Sequence, residues 1–191
     1  MWWLDTRARR LIHSIRLVAV FAVAGLCAGC FQPMYGEHTA FGGGVSSIAP
    51  AMRGVEVIPI VTPRGTRIDR VGVEVRNNLI FALTGGSGMT SPTHRLITTM
   101  SSQQLQVIVD VTSGYTFTQN YGIDVTFQLI DLATGQRVIN GQTFSRVSYN
   151  IPGGQQRFAG ERGLRDAENR AAAVISDNIR NRLASYFTAG T

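Results

Sequence analysis

The sequence predicts an α+β fold in which two helices pack on one face of a roughly four-stranded, mostly antiparallel sheet. Three observations carry that prediction. Two stretches repeat apolar residues every three or four positions, several others alternate or run β-branched, and a join between two of the latter is a hairpin loop too short for a crossover. The chain has 191 residues, and once an N-terminal signal is set aside the remainder is enough for one domain with its own core.

In chain order, residues 1–29 read as a lipoprotein signal peptide. Arg7, Arg9, Arg10 and Arg16 precede the apolar run 17–26, which is shorter than the ~20 residues a spanning helix needs. Ala28-Gly29-Cys30 follows and resembles a bacterial lipobox, in which the cysteine thiol is acylated and becomes the new N-terminus. Cys27 stands where an aliphatic residue is usual, but a cut before Cys27 would put bulky Leu26 at the cleavage site. Cys30 is therefore the expected lipidation site. The alternatives are an ordinary secretory signal or an uncleaved anchor, and an unpaired thiol entering an oxidising compartment is a liability unless it has a use. One acyl chain holds a membrane marginally, whereas several palmitate-like chains hold firmly at ~0.8 kcal/mol per buried methylene. Phe31 is not the aspartate that commonly marks inner-membrane retention, which points to the periplasmic side of the outer membrane.

Residues 30–54 are expected to form the lipidated N-terminus and a flexible tether, with Gly42-Gly43-Gly44, Pro33 and Pro50 and no sustained periodicity. Residues 55–191 are expected to form the single domain. Val55 to Val61 is a β-branched run, and Pro59 suits it to an edge. After the turn chemistry of Thr62 to Thr66, apolar residues from Ile68 to Leu83 recur at helical steps, with Arg70, Glu74, Asn77 and Asn78 on the other side. Gly85-Gly86 stops that helix, although Val71 to Val75 also alternates like a strand. Arg95 to Thr112 reads as one long or broken strand, interrupted by polar Ser101 to Gln104. Thr116 to Asn120 and Ile123 to Asp131 follow, then a hairpin loop with Gly135 at its left-handed position, then a return strand from Arg137 to Asn150. Phe158 to Phe187 carries a second apolar stripe, from Leu164 through Val174 and Ile175 to Phe187.

Charge says little about partners. All 18 basic residues are arginine, four of them and one of the 12 acids lie in the signal, and the rest carries +3. Nucleic acid is not indicated. With no cysteine beyond Cys30, the mature part has no internal disulfide and no cysteine-bound metal site. His13, His38 and His94 are too scattered for a triad or a zinc cluster, and Asp124 and Asp131 point to opposite faces of one strand. Neither catalysis nor a cofactor is expected.

Several segments together resemble one family. Cys30-Phe31-Gln32-Pro33-Met34-Tyr35-Gly36, Arg76-Asn77-Asn78-Leu79, Phe127 to Gly135, Val147-Ser148-Tyr149, Arg165 to Ala172 and Arg182 to Phe187 resemble, in order, the lipopolysaccharide-assembly lipoproteins LptE of the alphaproteobacterial type. The resemblance spans nearly the whole mature chain, and Phe31 stands where a glycine often follows the cysteine. It implies a plug inside the LptD β-barrel of the outer membrane, which helps that barrel assemble and takes part in delivering lipopolysaccharide to the cell surface. Members of that family are also proposed to touch lipopolysaccharide through basic residues, whose positions do not transfer cleanly, so lipopolysaccharide is a possible partner.

Candidate contacts come from charge and face. Arg157, Arg162, Arg165 and Arg170 cluster at the start of the last helix, where a helix N-terminus favours phosphate. Arg162–Asp166 and Arg165–Glu168 are spaced as ordinary surface pairs, which is the competing reading. For the barrel, Thr126, Gln128, Gln142 and Ser145 are read as a polar outward surface suited to a polar lumen. The alternative function is an independent envelope lipoprotein that binds a lipid or other substrate for a different transport system; it would need an exposed apolar groove.

Overall fold

The computed structural model describes residues 48–88, 91–109, 116–151 and 157–189. Cys30 and the signal lie outside them. The described elements run α1 (Ala49–Arg53), β1 (Val55–Val57), α2 (Arg67–Thr84), β2 (His94–Val109), β3 (Thr116–Asp131), β4 (Arg137–Asn150) and α3 (Arg157–Ala189). The sheet order is β1-β2-β3-β4, with β1 parallel to β2 and the other neighbours antiparallel. The expected α+β fold is present, with a third, short helix added.

α1 falls within the stretch expected to be tether. Its Met52 is buried in the core, so residues ahead of Val55 also pack with the domain. β1 is shorter than expected. Ile58 still donates to Leu96 (3.4 Å), but Pro59 has no N–H to continue the ladder, and by Val61 the chain is exposed.

α2 begins at the N-cap Thr66, whose hydroxyl accepts from the Asp69 N–H, and ends at Gly85 with φ 61°, the left-handed cap that a glycine adopts at little cost. Val71 to Val75 is helix throughout: Val71, Val75, Leu79 and Leu83 are buried, so the 3.6-residue period wins over the local alternation. α3 buries Leu164, Ala167, Ala171, Ile175, Ile179 and Leu183, while Val174 turns outward because Ile175 takes the core face beside it. The two long helices run parallel. Arg67 meets Glu161, Arg70 meets Glu168 and Asn169, and the Ser176 hydroxyl donates to Val75 O (3.2 Å), a close approach that the neighbouring Ala171 and Ala172 permit.

On β3, Tyr121, Ile123, Val125, Phe127 and Leu129 face the helices, matched across the ladder by Val147, Ser145, Thr143, Gly141 and Ile139. Gly141 is required there. A Cβ on it would stand 2.5 Å from the Phe127 ring. β2 and β3 are each one unbroken strand; the polar stretch from Ser101 does not interrupt β2 but continues it with every side chain from Ser101 to Val107 exposed.

Candidate functional site

Two surfaces carry the residues singled out in the sequence. The first is a groove of about 560 Å³ where the N-terminal ends of α2 and α3 come together. Because the helices are parallel, the positive ends of both dipoles point the same way. Arg67 and Arg70 line it from α2, and Phe158, Glu161, Arg162, Arg165 and Glu168 from α3. The Arg67 Nη2 donates to both Glu161 oxygens (3.1 and 3.0 Å), a hydrogen bond that raises the Arg67 pKa, and both side chains are exposed. Exposed pairs of this kind contribute about 0–1 kcal/mol. Arg70 is turned inward, not outward as its position on the polar side suggested. It pairs with Glu168, whose side chain is 3% exposed, and donates to Asn169 (3.1 Å). The second Glu168 oxygen is buried without a hydrogen-bond partner.

The expected surface pairs therefore give way to others. Asp166 is held by Arg170 (2.8 Å) and Glu168 by Arg70, which leaves Arg162 and Arg165 exposed and without an ion pair among the described residues. Arg170 turns from the groove to donate also to Ser148 O (3.3 Å). The side chain of Arg157 lies outside the described residues. The structure thus brings Arg162 and Arg165 together with Arg67 and Arg70, two residues that the sequence reading left out because they lie about 95 positions away.

Across the Arg67–Glu161 pair lies a second hollow of about 480 Å³, lined among others by Gln104, Gln119, Tyr149 and Leu164. Tyr149 donates to Gln119 (2.5 Å) and accepts from Gln104 (3.3 Å), and burial pushes its phenol pKa up, which keeps it a donor.

The second surface is the sheet face turned away from the helices. Register places Thr99, Thr126 and Gln142 in one row, Ile97, Gln128 and Asn140 in the next, and Ser101, Asp124 and Phe144 on the other side. Thr126 and Gln142 are exposed and Gln128 is partly so, as expected of outward positions. Ser145 is not among them. It is 5% exposed, opposite Ile123 on the helix side, because three residues separate it from Gln142 and an odd step changes face in a strand. The same parity shows what was missed: Phe144 (68% exposed) and Arg146, which bonds both Asp124 oxygens (2.7 and 2.9 Å) and lies 5.5 Å from the Phe144 ring centre. Gly122 makes room for Arg146, whose Cδ would be 2.8 Å from a Cβ there. The charges on this face are neutralised within it, by Arg146–Asp124 and by Arg95–Glu56 (2.8 Å).

His94, expected in a loop, opens β2 and packs edge-on against Tyr186 and Phe187. Among the described residues, no group of three histidine, cysteine or acidic side chains is placed to hold a metal ion, and no helix is long and apolar enough to cross a membrane.

A family model described as LptE, lipopolysaccharide-assembly, matches residues 52–183. Solved structures share the fold. A protein from Caulobacter crescentus CB15 aligns with a TM-score of 0.58 at 19% identity, over 75% of this chain and 97% of that one. Rare lipoprotein B from Shewanella oneidensis aligns with a TM-score of 0.50 at 14% identity, over 71% and 96%. No curated protein sequence matches.

Proposed function

This chain belongs to the LptE lipopolysaccharide-assembly family, and from that premise we propose that it is an outer-membrane lipoprotein serving as plug and assembly partner of an LptD-like β-barrel in lipopolysaccharide transport to the cell surface. A role in lipopolysaccharide assembly holds for the family. The finer reading rests on one observation, the outer sheet face: broad, uncovered among the described residues, polar apart from Phe144, and with the Arg146–Asp124 and Arg95–Glu56 charges paired within it. A barrel lumen is polar because its strands alternate apolar outward and polar inward, so a plug meets it with hydrogen-bonding side chains and not with a greasy surface. Acylation of Cys30 would hold the chain on the periplasmic side of the membrane. Arg162 and Arg165, charged and unengaged, would be the contacts for lipopolysaccharide phosphates.

The test is a photo-crosslinker at Thr126, Gln128 and Gln142 in living cells. Capture of one barrel protein from several of these positions is the expected result. Folded, anchored protein that gives no adduct from this face overturns the plug and favours the independent carrier. In parallel, Cys30→Ser should accumulate unprocessed precursor; maturation to the normal size with outer-membrane retention would refute lipidation.

A further inference from the structure

Among the described residues, β2 is covered along one side for its whole length and along the other for three residues. β3 pairs with it from His94 to Val109, whereas β1 pairs with it at His94, Arg95 and Leu96 and stops. Beyond that point β2 is an edge strand in all but name.

The direction of its free backbone groups follows from one hydrogen bond. Leu96 O accepts from Ile58 N on the β1 side, and N–H and C=O groups of successive residues in a strand point to opposite sides. The even-numbered residues therefore face the open edge, up to the first register shift after Gln106. Ser102, Gln104 and Gln106 each present an N–H and a C=O there.

The other two edges of the sheet are guarded. On β1, Arg76 Nε donates to Val57 O (3.1 Å). On β4, Arg170 donates to Ser148 O, and Arg137 and Arg146 put charge along the strand. Such capping and charge are how sheets keep foreign strands off. The stretch Ser101-Ser-Gln-Gln-Leu-Gln-Val107 has no charge and no proline, no side chain among the described residues caps it, and Leu105 and Val107 are 53% and 52% exposed.

We infer that this edge of β2 accepts an added β-strand from a protein partner. A row of in-plane donors and acceptors at strand spacing is matched by another extended backbone, and the absence of cationic side chains disfavours an anionic lipid. The guest is an extended, uncharged segment with apolar side chains to set against Leu105 and Val107. That the guest comes from the barrel rests on the function proposed above; that the edge takes a strand does not.

Amide exchange at single-residue resolution tests both. In the isolated mature lipoprotein in detergent, the Ser102, Gln104 and Gln106 amides should exchange fast, and those of Gln103 and Leu105, bonded to β3, slowly. In the purified complex with the barrel the three even amides should slow by at least about tenfold. A complex in which they stay fast overturns the barrel as donor, and slow even amides in the isolated protein that speed up on dilution would show a second copy on the edge instead. If no complex can be isolated, the plug reading fails and the edge is judged by a capped seven-residue peptide of alternating threonine and valine. At millimolar peptide the even amides of the wild type should slow at least about threefold, and no slowing overturns the inference. Ser102→Pro removes an outward N–H without breaking a bond to β3, and Leu105→Lys adds a charge. Both should abolish the protection, and retention of it in both folded variants also overturns the inference.

Discussion

The two halves of β2 differ in everything except their pairing with β3. From His94 to Leu96 the strand is walled by β1 on its edge, and as far as Met100 it is covered by the helices on one face, where Leu96, Thr98 and Met100 are buried. From Ser101 to Val107 it has one neighbour among the described residues and no buried side chain. The first half buries alternate positions, as a one-sided sheet must, and the second is serine and glutamine apart from the exposed Leu105 and Val107. Folding energy is concentrated in one half, and the other is extended without contributing to the core.

The comparison is broken most severely by charge in the covered half. Leu183→Asp, or Val75→Asp, buries a carboxylate with no partner at a position that is 0% exposed. The cost of several kcal/mol is comparable to a total stability of about 5–15 kcal/mol, so the variant should fail to fold cooperatively in a thermal melt. Next comes Arg70→Ala. It strands the Glu168 carboxylate, and loss of one partner of a buried pair costs about 3–5 kcal/mol, here toward the lower figure because Arg70 is 35% exposed. Glu168→Gln, which removes the charge together with its need for a partner, should lose clearly less in denaturant unfolding. Equal losses would show that Arg70 acts through packing. Leu105→Ser lies at the other extreme. With half its surface in water and no helix above it, it should shift stability by no more than about 0.5 kcal/mol, and a larger loss would mean that the outer half of β2 is packed after all.

The smallest effect sits at the β3–β4 turn. Asp131 accepts from the Ala133 N–H (2.7 Å), and that backbone bond holds its carboxyl below the ordinary carboxylate pKa. A depressed carboxylate pKa stabilises the fold above the unfolded value, and the gain is lost as pH falls through the lower folded value. The protection factors of the turn amides, exchange rates corrected for their intrinsic pH dependence, should therefore fall below about pH 4, and Asp131→Asn should remove that dependence while leaving neutral-pH behaviour nearly unchanged.

What could be read ahead of the structure was local. Gly85 as a left-handed cap, the Gly135 turn and the bounds of β4 each depend on a few adjacent residues, and each stands where expected. Ser145 went astray on a matter that was also local, the parity of its step from Gln142. Arg70 could not have been placed in this way. Its partner is 98 residues distant on another helix, and nothing in the helical period of α2 distinguishes a polar side facing water from one facing α3. The free edge of β2 was hidden for a related reason: the polar stretch looked like a gap in a strand until β1 was seen to stop at Val57.

α3 also sets a schedule. It is the last element of the chain and the lid on the row from Tyr121 to Leu129, so a chain made from its N-terminus completes all four strands before that lid exists. Until the 33 residues of α3 have followed the strands, that row stands without its lid. A newborn molecule therefore needs shelter from its neighbours, and any product that ends early, even by the last three turns of α3, would lose Ile179 and Leu183 and keep the hazard for life.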